Sequence, residues 1–132
     1  MTDEERVAAG MKVRRAVLGD NHVDAAVAGT TPSTAAFQDL ITRYAWGDIW
    51  SRNGLGRRER SVAVMSILIA LGHHEELAMH VRAALRNGLS REEIIEVLLQ
   101  SAIYAGVPAA NTAFRFAKPI LDDPTEPDGV AP

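Results

Sequence analysis

The 132-residue chain contains no cysteine, which excludes a disulfide framework and any thiol or dithiol chemistry. It has no glycine-rich loop of the kind that cradles phosphate. Aromatic residues make up only 5%, so few large rings are available to fill a core or stack on bases. The longest apolar run, from Val62 to Leu71, is interrupted by Ser66 and is too short to span a bilayer. No basic block exceeds two residues and the net charge is −3, so the footprint of a nucleic-acid binder is missing. Met1-Thr2-Asp3-Glu4-Glu5 lacks the basic and apolar regions of a signal peptide. The expectation is a cytoplasmic protein with neither membrane nor nucleic acid as partner.

What is present points to helices. The hydrophobic fraction is 47%, mostly Ala, Val, Leu and Ile, and the length suits one domain with one core. We expect an all-α domain of about six helices over residues 1–121, followed by a mobile tail over 122–132. Asp3 can cap a first helix from Glu4 to Leu18, with Val7, Met11, Val13 and Val17 apolar, and Asn21 can cap a short turn. Thr31-Pro32 reads as a cap and first-turn proline, opening a helix through Phe37, Leu40, Ile41 and Tyr44 that ends near Gly47. A loop from Asp48 to Gly56 follows. The stretch from Arg57 to Leu71 is hydrophobic nearly all round beyond Val62, which predicts burial on more than one side, within the domain or at a subunit interface. Gly72 breaks the pattern, and Asn87-Gly88 closes the next helix. Ser90-Arg91-Glu92-Glu93 is a capping box ahead of an apolar stripe of Ile94, Ile95, Val97, Leu98, Ala102 and Ile103. Pro108 opens a last helix with Ala109, Ala113, Phe114 and Ala117 facing in.

Three groups of residues could carry chemistry. His73, Glu76 and His80 share one helix face. His73 and His80 are two turns apart, roughly 10 Å along the axis, so three ligands from this row would be strained around one ion. Ala78 also stands where the second His of an H-E-x-x-H motif would be, and no metal site is expected. Glu76 and His80 suit a carboxylate–imidazole pair poised for proton transfer; the alternative is an ordinary solvated pair. Arg52, Arg57, Arg58 and Arg60 surround a helix N-terminus, where the dipole disfavours cations. Anion binding explains that placement, and a solvated charge run or an intersubunit ion pair is the alternative. Arg43, Tyr44 and Trp46 form the third group, in which the aromatics could equally be core. Twelve of the fourteen basic residues are Arg, the residue suited to bidentate carboxylate binding, although genome composition explains that as well.

These groups lie within longer segments: Val13-Arg14-Arg15-Ala16-Val17-Leu18-Gly19-Asp20, Leu40-Ile41-Thr42-Arg43-Tyr44-Ala45-Trp46-Gly47, Gly54-Leu55-Gly56-Arg57-Arg58 with Arg60-Ser61, His80-Val81-Arg82-Ala83-Ala84, and the run from Leu98 through Tyr104 to Asn111. Together they resemble the carboxymuconolactone decarboxylase family over roughly residues 13–117. The resemblance implies an alkylhydroperoxidase D-like helical bundle, assembled as a homotrimer or homohexamer. Where peroxidase relatives carry Cys-x-x-Cys-x-x-x-His, this chain reads His73-x-x-Glu76-x-x-x-His80.

The activity so implied is cofactor-independent decarboxylation of a small anionic lactone in the breakdown of aromatic compounds. His80 and Glu76 would then handle the proton, Arg43, Arg57, Arg58 and Arg60 would offer carboxylate binding, and Trp46 and Tyr104 would wall the pocket. Two other readings stay open. One is a decarboxylase or isomerase of a different lactone or small acid on the same scaffold. The other is a non-catalytic helical binding module whose apolar helix serves assembly.

Overall fold

The structure, a computed structural model, describes residues 1–127, and all regular structure among them is helical. The chain comprises two compact units, Met1–Leu55 and the remainder from Gly56. In the first unit, α1 (Asp3–Leu18) and α2 (Asp20–Ala28) precede α3 (Ala35–Ile41), which runs directly into a π-helix over Thr42–Ile49. The cap of α1 is Thr2, one residue before the expected Asp3. Its hydroxyl accepts the Glu5 N–H at 3.1 Å while the Glu5 carboxylate accepts the Thr2 N–H at 2.8 Å, and this reciprocal box satisfies two otherwise unpaired donors. Asp3 instead joins the first turn, where the helix dipole favours an acid.

The α3 segment differs most from expectation. The Thr31 carbonyl accepts the N–H groups of Thr34 and Ala35 at 3.0 and 2.9 Å, so a turn intervenes and the helix proper starts at Ala35. It also extends past Gly47: the Trp50 N–H reaches the Ala45 carbonyl at 2.9 Å, the wide i to i+5 pairing of a π-helix. Thr42 and Trp46 are buried, whereas Phe37, Leu40 and Tyr44 are exposed. α1 packs against the π-helix, presenting Gly10, Arg14 and Val17 as its buried positions. A Cβ on Gly10 would lie well inside van der Waals contact with the Thr42 carbonyl oxygen and 3.1 Å from the Gly47 nitrogen.

The second unit contains α4 (Arg57–Leu71), α5 (His74–Arg86), α6 (Arg91–Ala105) and α7 (Val107–Leu121). Gly72, at φ 77°, lets the chain turn left-handed after α4, and the His73 N–H returns to the Leu68 carbonyl at 2.9 Å. Gly88, at φ 100°, plays the same part after α5, with the Leu89 N–H on the Ala84 carbonyl at 3.0 Å. These closures turn the helices back on one another around Met65, Ile69, Leu77, Val81, Leu85, Ile94, Leu98 and Ala113. Each large aliphatic residue so buried contributes about 1.5–3 kcal/mol. The expected capping box at Ser90 is present: its hydroxyl accepts the Glu93 N–H at 3.0 Å and its own N–H reaches Glu93 at 2.9 Å. α4 buries Ser61, Met65 and Ile69 but leaves Val62, Ile67 and Leu71 exposed, so within one chain only one side is covered. On α6, Ile103 points outward together with Tyr104; Ser101 takes a buried place by donating its hydroxyl to the Val97 carbonyl at 2.8 Å.

Arg91 donates to the carbonyls of Leu121, Asp123 and Glu126 at 3.2, 3.1 and 2.8 Å. The end of the expected tail, residues 128–132, lies outside the described residues. No helix among the described residues is long and apolar enough to cross a membrane.

Candidate active site

α4 and α5 form an antiparallel pair joined at Gly72-His73, and one flank of α5 carries Glu76, His80, Ala83 and Asn87 at steps of four, three and four. Asn87 donates its side-chain amide to the Ser61 hydroxyl of α4 at 3.0 Å, which identifies this flank as the one beside α4. His80 is buried, with 7% of its surface exposed, while Glu76, one turn nearer the helix start, is exposed. An imidazole in that setting sits in a lower dielectric than water, where its interactions with a developing charge strengthen. His73 is exposed and begins α5 without a side-chain cap bond. His74 is half-buried and stacks on Phe116 of α7 with ring centroids 5.2 Å apart. Among the described residues no three His, Asp or Glu side chains gather as a metal site.

The arginine group sits at the other end of α4, roughly 20 Å from Gly72 by helix rise. Arg58 is committed within the chain: it donates to Glu93 through two nitrogens at 3.2 and 2.6 Å and to the Gly88 carbonyl at 2.6 Å. Arg57 is exposed and forms no ion pair among the described residues. Arg60 is half-buried one turn on. The Arg58 guanidinium, helped by the Ser90 N–H, holds the Glu93 carboxyl down at about 2. That depression adds stability above the ordinary glutamate range near 4.5, and the gain disappears as pH falls from there through about 2. Glu93→Gln keeps the capping box but loses the ion pair. It should therefore melt below the parent at pH 7, and the gap between their Tm values should narrow steadily as pH falls from 4.5 toward 2; a gap independent of pH would reject the charge as its cause.

Tyr104, 83% exposed, lines a groove of about 190 Å³ with Ser66, Ala70, Gln100, Ser101 and Ala105. Ser66 and Ser61 lie five residues apart on α4, which places them more than a quarter-turn apart around the helix. The groove and the His80 flank therefore occupy different sides of α4. In the first unit, Arg43 pairs with Asp39 at 2.9 Å and borders an open cleft of about 520 Å³ whose other walls are Asp3, Glu4, Val7 and Asp39. Three carboxylates around one guanidinium make that cleft a poor host for an anion. Trp46 is buried and packs against Trp50, ring centroids 5.2 Å apart and tilted by 35°.

Residues 35–119 match the carboxymuconolactone decarboxylase family. Over its whole length the chain is 41% identical to the 4-carboxymuconolactone decarboxylase of Acinetobacter baylyi, covering 96% of that protein. The chain belongs to the carboxymuconolactone decarboxylase family. A nitrosuccinic acid decarboxylase of Metarhizium robertsii is 39% identical over 86% of this chain and 80% of its own length. A 48-residue 4-carboxymuconolactone decarboxylase sequence of Pseudomonas putida is 50% identical over all of its own length and 36% of this chain. The all-helical class read from the sequence is that of the family, and its characterised relatives here are decarboxylases.

Within this decarboxylase family member, sequence reasoning named the residues most able to move protons or bind anions and passed over those that hold them. In the sequence Glu93 signals only a cap, whereas in the fold it is also the partner that occupies Arg58. Arg14 stands at i, i+3, i+4 spacing among Gly10, Val17 and Leu18, and a cation on the apolar stripe of a helix is the signal by which its buried place can be read.

Proposed function

We propose that this protein converts 4-carboxymuconolactone to 3-oxoadipate enol-lactone and CO2, in the cytoplasmic breakdown of protocatechuate. The full-length relationship to a 4-carboxymuconolactone decarboxylase carries this reading. Burial of His80 one turn from an exposed Glu76 supports its chemistry. The bond broken joins the ring carbon to its carboxylate. Its electron pair moves through the ring C=C into the lactone carbonyl, so the substrate is its own electron sink and no cofactor is assigned. His80, oriented with Glu76, delivers the proton to the carbon beside the carbonyl or steadies the oxygen on which charge develops. Arg57, which forms no ion pair among the described residues, is the best placed of its group to hold a substrate carboxylate. Arg60, and Arg43 once released from Asp39, are further proposed carboxylate contacts, and Trp46 is a proposed apolar wall; Tyr104 lies on another side of α4 from His80 and is left out of the site.

A homotrimer or homohexamer is part of the same proposal. Ile67, Leu71, Ile103, Tyr104 and Val107 leave an apolar face on α4, α6 and the start of α7, larger than scattered surface residues require. A second reading follows from the nitrosuccinic acid decarboxylase relative: there a nitro group could accept the electrons that the lactone carbonyl accepts here. Purified protein should bleach the lactone's absorbance with stoichiometric CO2, and in heavy water place one deuterium beside the product carbonyl. Release of CO2 from nitrosuccinic acid alone would favour the second reading; turnover of neither, by well-folded protein of oligomeric mass, would reject both.

A further inference from the structure

We infer that Arg14 is a positioning residue whose buried guanidinium holds the junction of α3 with the π-helix and thereby sets the directions of Arg43 and Trp46. The inference rests on the proposed function only in taking those two side chains to face the substrate. Arg14 is 4% exposed. It donates to the Thr42 hydroxyl at 3.3 Å and to the Gln38 side-chain oxygen at 3.0 Å, and Thr42 in turn donates to the Gln38 carbonyl at 2.8 Å. Gln38 lies in the last turn of α3 and Thr42 is the first residue of the π-helix. One group from α1 thus ties together the two sides of the change in helix type.

Both partners are neutral, and no carboxylate among the described residues pairs with Arg14. Burying a guanidinium among neutral acceptors costs free energy that an aliphatic residue would not, so its retention points to a task other than stability. A π-helix is rare and frequently marks a functional site. Continuing as an α-helix would rotate the residues beyond Thr42 by up to about 100°, one residue's step, and would carry Trp46 out of its buried place. Gly10 makes room for the wide turn, and Arg14 holds its first residue.

The chain has two Trp residues, and both lie in this segment, their rings 5.2 Å apart. Their exciton couplet in circular dichroism therefore reports the geometry of the π-helix without reference to activity. Arg14→Met keeps the apolar stem and removes the donors; Thr42→Val removes the hydroxyl alone. Both are expected to alter the couplet and lower kcat/KM by about 10- to 100-fold, the range for a small misplacement of binding groups, with KM carrying most of the change. Arg14→Lys should recover part of each. A native couplet in Arg14→Met overturns the inference, and so does a fall in kcat/KM without a change in couplet, since Arg14 would then act on the substrate directly. Should Arg14→Met fail to fold, Thr42→Val and Gln38→Leu face the same two criteria. Were the wild type to turn over neither acid, the proposed function would fall while the couplet still decided whether Arg14 sets the π-helix.

Discussion

His80→Ala is expected to lower kcat by about 10²- to 10⁴-fold, the usual contribution of a positioned general acid or base. The physical reason lies in the contrast along one flank of α5, where His80 is 7% exposed and Glu76, one turn away, meets solvent. Decarboxylation leaves a charge that must end on carbon as a new C–H bond, and a donor held in a fixed, poorly hydrated place can deliver its proton to that carbon without reorganising solvent. A buried imidazole is such a donor. Because His80 packs among helices, truncation to Ala also opens a void, and His80→Gln serves as the control that restores most of the volume without the proton chemistry. Both variants should lose turnover while KM moves much less, as expected for an interaction that strengthens in the transition state. If either retains wild-type kcat with a native circular dichroism spectrum, the proton comes from elsewhere. Glu76→Gln should cost less than His80→Ala, since the part proposed for it is to orient the imidazole.

How much of this was legible in the sequence varied with the range of the forces involved. The α4 to α7 unit was read nearly to the residue, because its boundaries are set by local chemistry: Gly72 and Gly88 at positive φ, and the Ser90–Glu93 box. The row of Glu76 and His80 on one face was legible for the same reason, since a 3.6-residue period fixes it. The α3 segment was misread because a π-helix changes that period. A pattern that would bury Phe37, Leu40 and Tyr44 in an α-helix instead buries Thr42 and Trp46. What sustains the wider turn is not local at all, since it depends on Gly10 and Arg14 in a helix some thirty residues earlier. The arginine group fell between these cases. Its charge was plain, but that Arg58 would be consumed by Glu93, 35 residues away, depended on how α4 meets the turn before α6.

Gly10→Ala offers the second large effect, and its sign opposes what helix propensity predicts. Gly10 lies inside α1, where Ala is favoured by about 1 kcal/mol, so a free helix face would gain stability from the change. Here the added methyl would overlap the Thr42 carbonyl oxygen and sit 3.1 Å from the Gly47 nitrogen. Both are backbone atoms of the π-helix, and neither can move aside as a flexible side chain would. Overpacking of this kind costs about 1–3 kcal/mol and occasionally more, a large share of the roughly 5–15 kcal/mol that holds a domain together. We expect Gly10→Ala to lower the Tm by several degrees and to disturb the Trp46–Trp50 couplet, because relief requires α1 to withdraw or the π-turn to tighten. Gly54→Ala is the matched control, since nothing lies within 4 Å of a Cβ at that position, and it should leave both readouts near the parent. A Gly10→Ala protein as stable as the parent would mean that α1 does not approach the π-helix closely. The widened turn would then need another cause, and Arg14 would lose the contact through which it positions Arg43 and Trp46.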